Sequence, residues 1–265
     1  QAIRYAAILH DFGKIGVREE VLVKAKKLFP NHLELIKQRA DLIKQGLELK
    51  HSQRKIAYLL ERGRERFAEQ FATDDAELTA FIQEVDQYLK TVIAANEPSV
   101  MPEEFANTIQ QIAVKSFMDH LGNERSIITP LEARIISIPK GSLTEEERVQ
   151  IESHVVHTFQ FLTQIPWTKE LRRVPEIARA HHEKLNGSGY PYGMRAEDIP
   201  IQSKIMTISD IYDALTAADR PYKKAVPLDR ALDILHYEKK AGAIDGELLT
   251  LFIDAKVYQR VTAGS

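Results

Sequence analysis

Residues 181–193 read HHEKLNGSGYPYG, two adjacent imidazoles running straight into a glycine-rich turn. An imidazole and a carboxylate stand together again at His10–Asp11, and His154 sits alone on an otherwise apolar helical pattern. Asp210 and Asp213, within ISDIYDAL, are three residues apart and share one face of a helix. A buried imidazole or carboxylate is costly unless it is paired, so a cluster of them needs hydrogen bonds or a metal. His181 and His182 project about 100° apart on a helix. Both reach one centre only if that centre is a cluster, or if the helix opens there, and the glycines that follow permit an opening. The chain has no cysteine, which removes thiolate chemistry and disulfides. The remaining nitrogen and carboxylate donors suit Fe, Mn or Zn. Two such ions bridged by a carboxylate lower the pKa of a shared water and clamp a phosphate for in-line displacement.

Each of these residues also has a plainer reading. Asp11 can simply pair with Lys14, and Asp213 can replace Asp210 as a ligand or support the site from behind. Tyr190 can be a packing tyrosine. Arg220 can pair with Asp219 or Asp213, and Lys223 and Lys224 can be a solvated patch. His157 lies one turn after His154 and reads as structural; His32, His51, His120 and His236 read as surface or packing residues.

The elements that must position these groups are helical, so the fold class expected is all-α. The first helix ends near His10, DFGKIG is a turn, and VREEVLVK is a short helix. Leu33, Ile36, Ala40, Ile43 and Leu47 repeat at three- and four-residue steps, as do Leu78, Ile82, Val85, Leu89 and Val92. Such seams belong to two helices packed on each other or on a partner. ATDDAEL between them supplies capping residues for the second helix. MPEEFANTIQQIAVKSFMDHLG reads as one further helix, with Pro102 at its start and Gly122 near its end. Thr144 and Glu147 form a capping box for a helix whose buried face is Ile151, Val155, Phe159 and Leu162. Pro175 starts the helix carrying EIARAHHEK. IQSKIMTISDIYDALTAAD, LDRALDILHYEKK and GELLTLFIDAKVYQRV give three more.

The bulk numbers narrow the partners. The 265 residues are 44% hydrophobic and 28% charged, with a formal net charge of −2. That is ordinary for a folded domain and offers no global basic field for long nucleic acid. No apolar run is long enough to span a bilayer, and no signal peptide opens the chain, so a cytoplasmic location is expected. The chain begins inside an apolar pattern without Met, as a fragment of a longer protein does.

HDFGK (10–14), His154, HHEKLNGSGYP (181–191) and ISDIYDALTAADRPYKKA (208–225), in that order, resemble the HD-GYP family. These are bacterial phosphodiesterases of the HD superfamily, associated with hydrolysis of cyclic di-GMP in second-messenger signalling. The resemblance covers residues 1–27 and 139–265. It implies an HD-superfamily helical bundle and two or three divalent metal ions, Fe or Mn. It implies that His10, Asp11, His154, His181, His182 and Asp210 are metal ligands, with Asp11 bridging. Lys14 would face the scissile phosphate. Gly189, Tyr190 and Pro191 would shape the substrate wall, and Arg220 with Lys223 or Lys224 would bind phosphate or guanine edges. The reaction implied is in-line attack of a metal-activated hydroxide on a cyclic dinucleotide, giving linear pGpG, with GMP the product of a further cut. Rival readings are an inactive cyclic-dinucleotide receptor and another HD-superfamily nucleotide phosphohydrolase.

Two features depart from the family pattern. Family members often carry a further His or Glu ligand on a helix upstream of the HD pair, and this chain starts too late to contain it, which leaves two or three metals open; an upstream sensor domain is expected to lie outside this fragment. Residues 28–138 form an insertion without metal-ligand spacing. It is expected to be a helical hairpin subdomain, packing on the catalytic domain or acting as a homodimer contact or signal-transmitting element.

Overall fold

The computed structural model describes residues 1–100, 102–119, 121–217 and 225–259. The chain divides into two compact units, one made of Gln1–Val23 with Glu145–Ser265 and the other of Lys24–Thr144. In chain order, α1 (Ala2–Leu9) is followed by a 3-10 turn (Phe12–Gly16) and the one-turn α2 (Glu19–Leu22). The second unit holds α3 (Pro30–Arg62), α4 (Phe67–Ala95), α5 (Glu103–Val114), strands β1 (Ser116–Met118) and β2 (Glu124–Ser126), and α6 (Pro130–Ile136). The first unit resumes with α7 (Glu145–Thr163), α8 (Val174–Arg179), α9 (Ile201–Thr216), α10 (Leu228–Lys240) and α11 (Gly246–Asp254). The fold is all-α apart from one antiparallel strand pair, with Phe117 opposite Arg125. No helix among the described residues is long and apolar enough to cross a membrane.

The two periodic seams meet as expected. Ile36, Ala40 and Ile43 of α3 are buried in one core with Val85 and Val92 of α4. Each of the isoleucine and valine side chains contributes about 1.5–3 kcal/mol by leaving water. Two local expectations are corrected. ATDDAEL does not cap a helix but lies within α4; the break falls earlier, where Gly63 and Arg66 take positive φ values of 66° and 51°. Residues 101–122 are not one helix either. Chain leaving α5 turns extended at Lys115, and Asp119 then organises a tight reversal, its Oδ1 accepting from the amides of Leu121 and Asn123 at 2.9 and 2.8 Å. These amides, with Arg125, hold the Asp119 carboxyl well below its usual range. Local side-chain bonds of this kind compete with helix, and they win here.

His51, on α3, is a packing residue: its buried ring meets Asp75 of α4 at 2.5 Å. The segment leading into α3 is tied to the ends of two other helices. Asn96 Oδ1 accepts the Leu28 amide at 2.7 Å and its carbonyl accepts the Lys27 amide at 3.1 Å. The buried Lys27 ammonium donates to the Ile136 carbonyl at the C-terminus of α6, 2.9 Å away, and burial lowers its pKa. A cation there meets the negative end of the helix dipole.

In the first unit, Ala6 of α1, Leu162 of α7, Val174, Ile177 and Ala178 of α8 and Met206 of α9 share a core. Ile208 on α9 belongs to a neighbouring core with Leu235 of α10 and Leu249 and Phe252 of α11. These packings put the ends of α1 and α8 and the middles of α7 and α9 together.

Asn96→Ala leaves the buried Leu28 amide without an acceptor. It should cost about 1–3 kcal/mol, read as a lowered midpoint in denaturant unfolding of the second unit; an unchanged midpoint would show that this tie is dispensable.

Candidate metal centre

The histidine–aspartate pair sits where α1 gives way to the 3-10 turn. That turn is seated on α7 by Thr158, whose Oγ accepts the Gly13 amide at 2.8 Å and donates to the His10 carbonyl at 2.9 Å. Only glycine fits at position 13, since a Cβ there would lie 2.0 Å from the His154 carbonyl oxygen. Phe12 stacks on Phe161 with centroids 4.1 Å apart. The turn is thereby locked directly against the helical turn that bears His154.

Helix α8 stops at Arg179, so His181 and His182 lie in the turn just beyond it, where the chain has opened. Two hydroxyls of α9, one turn apart, hold this end in place. Ser203 Oγ donates to the Ile177 carbonyl at 2.8 Å, and Thr207 Oγ lies 2.7 Å from the His181 carbonyl. They meet carbonyls at the end of the helix, where backbone donors run short. Asp210 follows Thr207 by three residues on the same helix face, which brings it to His10 and His182.

Hydrogen bonding sets the ring tautomers. Nδ1 of His10, His154 and His181 each bonds the carbonyl three residues back, that of Ala7, Ile151 and Ala178, at 2.8, 2.6 and 2.6 Å. A carbonyl only accepts, so each Nδ1 carries the proton. The Nε2 atoms of His154 and His181, both buried, find no hydrogen-bond partner among the described residues, and neither does Asp11 Oδ1. Asp11 Oδ1 and His154 Nε2 are 3.3 Å apart. With Nδ1 of His154 already protonated, this contact sets two acceptors face to face unless the ring is cationic. One ligand atom each from Asp11, His154, His181 and His182 falls within 4.8 Å of the others. A buried knot of lone pairs lacking donors is the environment that a divalent cation satisfies, so these residues fit a metal.

The charges agree. Burial favours neutral rings and pushes His181 down to about 4 and His182 down to about 3, with the neighbouring charge of His10 and ring of His181 adding to it. Burial opposes charge at His10 too, but Asp11 and Asp210 prevail and push it up to about 10. His10 Nε2 lies 3.3 Å from Asp11 Oδ2 and 3.7 Å from Asp210 Oδ1. At Asp11, burial is outweighed by His10 and Lys14, which hold the carboxyl far below its usual range. Asp210 is also held low, against its burial, chiefly by His10. The two oxygens of Asp11 therefore face different histidines, Oδ1 towards His154 and Oδ2 towards His10. A cleft of about 260 Å3, lined by His10, Asp210 and Asp213 among others, opens beside them.

The remaining predicted residues fall as follows. Lys14 Nζ pairs with Asp11 Oδ2 at 2.6 Å. Tyr190 stacks on His182, centroids 4.7 Å and planes 30° apart, and burial raises the pKa of its hydroxyl. Pro191 follows it directly in the loop. Gly189 lies flat on the preceding backbone, since a Cβ there would be 2.3 Å from the Lys184 amide nitrogen. Arg220, Lys223 and Lys224 lie outside the described residues. The ring of His157 lies against Gly16, a packing role. Sequence reasoning missed Glu183. It is 2% exposed, and its two carboxylate oxygens accept the amides of Tyr192 and Met194 at 2.8 Å each. Its position next to the paired histidines, in a segment of glycines with amides to satisfy, was the available signal.

Comparison with known proteins places this geometry. A family model described as HD domain matches residues 123–248, a span that includes His154, His181, His182 and Asp210. The chain is 43% identical over 107 residues to a 3'3'-cGAMP-specific phosphodiesterase 3 of Vibrio cholerae, covering 40% of this chain and 22% of that protein. It is 35% identical over 104 residues to the cyclic di-GMP phosphodiesterase response regulator RpfG of Xanthomonas campestris, covering 39% and 27%. It is 38% identical over 96 residues to a cyclic di-GMP phosphodiesterase of Thermotoga maritima, covering 36% and 26%. The chain therefore spans about a quarter of the length of these relatives. The match to the HD domain model and the similarity to these relatives bear out the resemblance of this chain to the HD-GYP family.

His181→Ala removes an inward-facing nitrogen. The purified variant should hold markedly less Mn or Fe per chain than the parent by elemental analysis while keeping its helical circular dichroism. Full metal content in the folded variant would remove His181 from the ligand set.

Proposed function

We propose that this protein is a metal-dependent phosphodiesterase that opens a cyclic dinucleotide, cyclic di-GMP or a relative such as 3'3'-cGAMP, to its linear form. The observation that carries the reading is the set of unpartnered, buried acceptor atoms on Asp11, His154 and His181. Asp11, His154, His181 and His182 would hold metal, and His10 and Asp210 beside them would be further ligands. Fe or Mn fits these donors. When bound, the ions supply Lewis-acid charge to a displacement at phosphorus. The names of the relatives support a cyclic dinucleotide as the substrate class.

The chain's own residues have distinct tasks in this reading. The carbonyls of Ala7, Ile151 and Ala178 keep the ligand rings in one tautomer and orientation. Lys14, paired with Asp11 and partly exposed, would face a phosphate seated on the cluster. Negative charge grows on the non-bridging oxygens as the new bond forms, and an ammonium there stabilises the transition state more than the ground state. Tyr190 walls the site from the side of His182. Linear pGpG is the product of one cut, and GMP requires a second.

Two measurements test this. Chromatography of cyclic di-GMP and 3'3'-cGAMP incubated with the Mn- or Fe-loaded protein should show linear dinucleotide, and chelation should stop its formation. Intact substrate after incubation with fully loaded protein would overturn the reading. Lys14→Ala should retain metal and lose roughly a hundredfold to a thousandfold in kcat, the scale of one charge-stabilising contact. An unchanged kcat would reduce Lys14 to a partner of Asp11.

A further inference from the structure

The loop that places Tyr190 beside His182 also carries Tyr192, which the proposed chemistry does not use. The Tyr192 residue is 51% exposed, and its ring meets no other aromatic ring among the described residues. One face is covered: the Cζ of Arg179 lies 5.4 Å from the Tyr192 centroid and 5.0 Å from the centroid of Phe159. Phe159, Arg179 and Tyr192 form a ring–guanidinium–ring stack rooted in α7 and the end of α8. Arg179 makes no ion pair among the described residues, and its Nε is buried without a hydrogen-bond partner. Its charge is therefore turned to the two rings, an arrangement that gains from desolvation.

The backbone beneath the ring is fixed as well, because the Tyr192 amide donates to the buried Glu183 carboxylate at 2.8 Å. An aromatic side chain held through its backbone and against a guanidinium, yet half exposed, has little freedom left to lose when a flat ligand settles on it. Two residues of chain reach at most about 7 Å, so the Tyr192 backbone lies within that distance of Tyr190, which packs on His182. A nucleotide whose phosphate sits at the cluster carries its base on the adjoining ribose, and that base needs a surface near the site edge.

We propose that Tyr192 is the stacking platform for one purine base of the substrate, set in place by Arg179 and Phe159. The inference rests on the cyclic-dinucleotide reading above. Stacking on a tyrosine face is tolerant of base identity, so the platform serves guanine and adenine alike.

The test is steady-state kinetics of the metal-loaded protein with cyclic di-GMP and with bis(p-nitrophenyl) phosphate, a diester that has no purine. Tyr192→Ala should raise KM for cyclic di-GMP roughly tenfold to a hundredfold, the scale of one stacked base. Its loss in kcat/KM on bis(p-nitrophenyl) phosphate should be at least tenfold smaller. Tyr192→Phe, which keeps the ring face, should restore KM. Equal losses on both substrates would mean that the ring only braces the loop, and the platform would be overturned. An unaltered KM for Tyr192→Ala in an enzyme that cleaves cyclic di-GMP would also overturn the platform alone. Should the parent cleave bis(p-nitrophenyl) phosphate but no cyclic dinucleotide, the functional reading falls, and the platform with it.

Discussion

Acceptor atoms that face one another inside a protein repel unless something positive lies between them. Asp11 Oδ1, His154 Nε2 and His181 Nε2 are such atoms, buried and without hydrogen-bond partners. Much of the first unit serves to hold them there. Three backbone carbonyls fix the ring tautomers, Thr158 seats the 3-10 turn on α7, and Ser203 and Thr207 clamp the end of α8 to α9. A folded chain does not spend this much buried hydrogen bonding to orient lone pairs at nothing. At His10 the carboxylates of Asp11 and Asp210 on either side favour positive charge in the same way.

The glycine-rich loop follows from the same constraint. It must pass close to the paired histidines without filling the cluster. Gly189 lets the backbone lie against residues 183 and 184, and Glu183 takes two loop amides out of competition. Leu185 and Asn186 then tie the loop to the end of α10 through the carbonyls of Ala243 and Ala241. The outcome is a stiff wall that presents two tyrosines, one on His182 and one outward to solvent.

How much of this was legible in the sequence depended on the kind of signal. Residue types with metal chemistry, at His10–Asp11, His154, His181–His182 and Asp210, stand out because histidine and aspartate are rare on apolar helix faces. The seams of α3 and α4 were legible because burial imposes a period. Thr158, Ser203 and Thr207 were not, because a helical serine or threonine looks alike whether it faces solvent or a carbonyl; the Thr158 bond to His10 spans 148 residues. Glu183 was hidden for the same reason, as a charged residue in a polar loop. The strand pair was missed because its determinant, Asp119, acts through local amides rather than a periodic pattern. The α3–α4 break went astray because Gly63 sits among helix formers, whereas ATDDAEL has the composition of a cap without its geometry.

The central claim is that a metal lies among these facing lone pairs, bound through Nε2 of the histidines whose Nδ1 atoms are tied to backbone carbonyls. Anomalous diffraction at the Mn absorption edge, from crystals grown with Mn²⁺, tests it most directly. The account predicts a peak at bonding distance, roughly 2.0–2.3 Å, from the Asp11 carboxylate and from Nε2 of His154 and His181. A peak elsewhere in the chain, or one reached through Nδ1 after these rings have turned over, would contradict it.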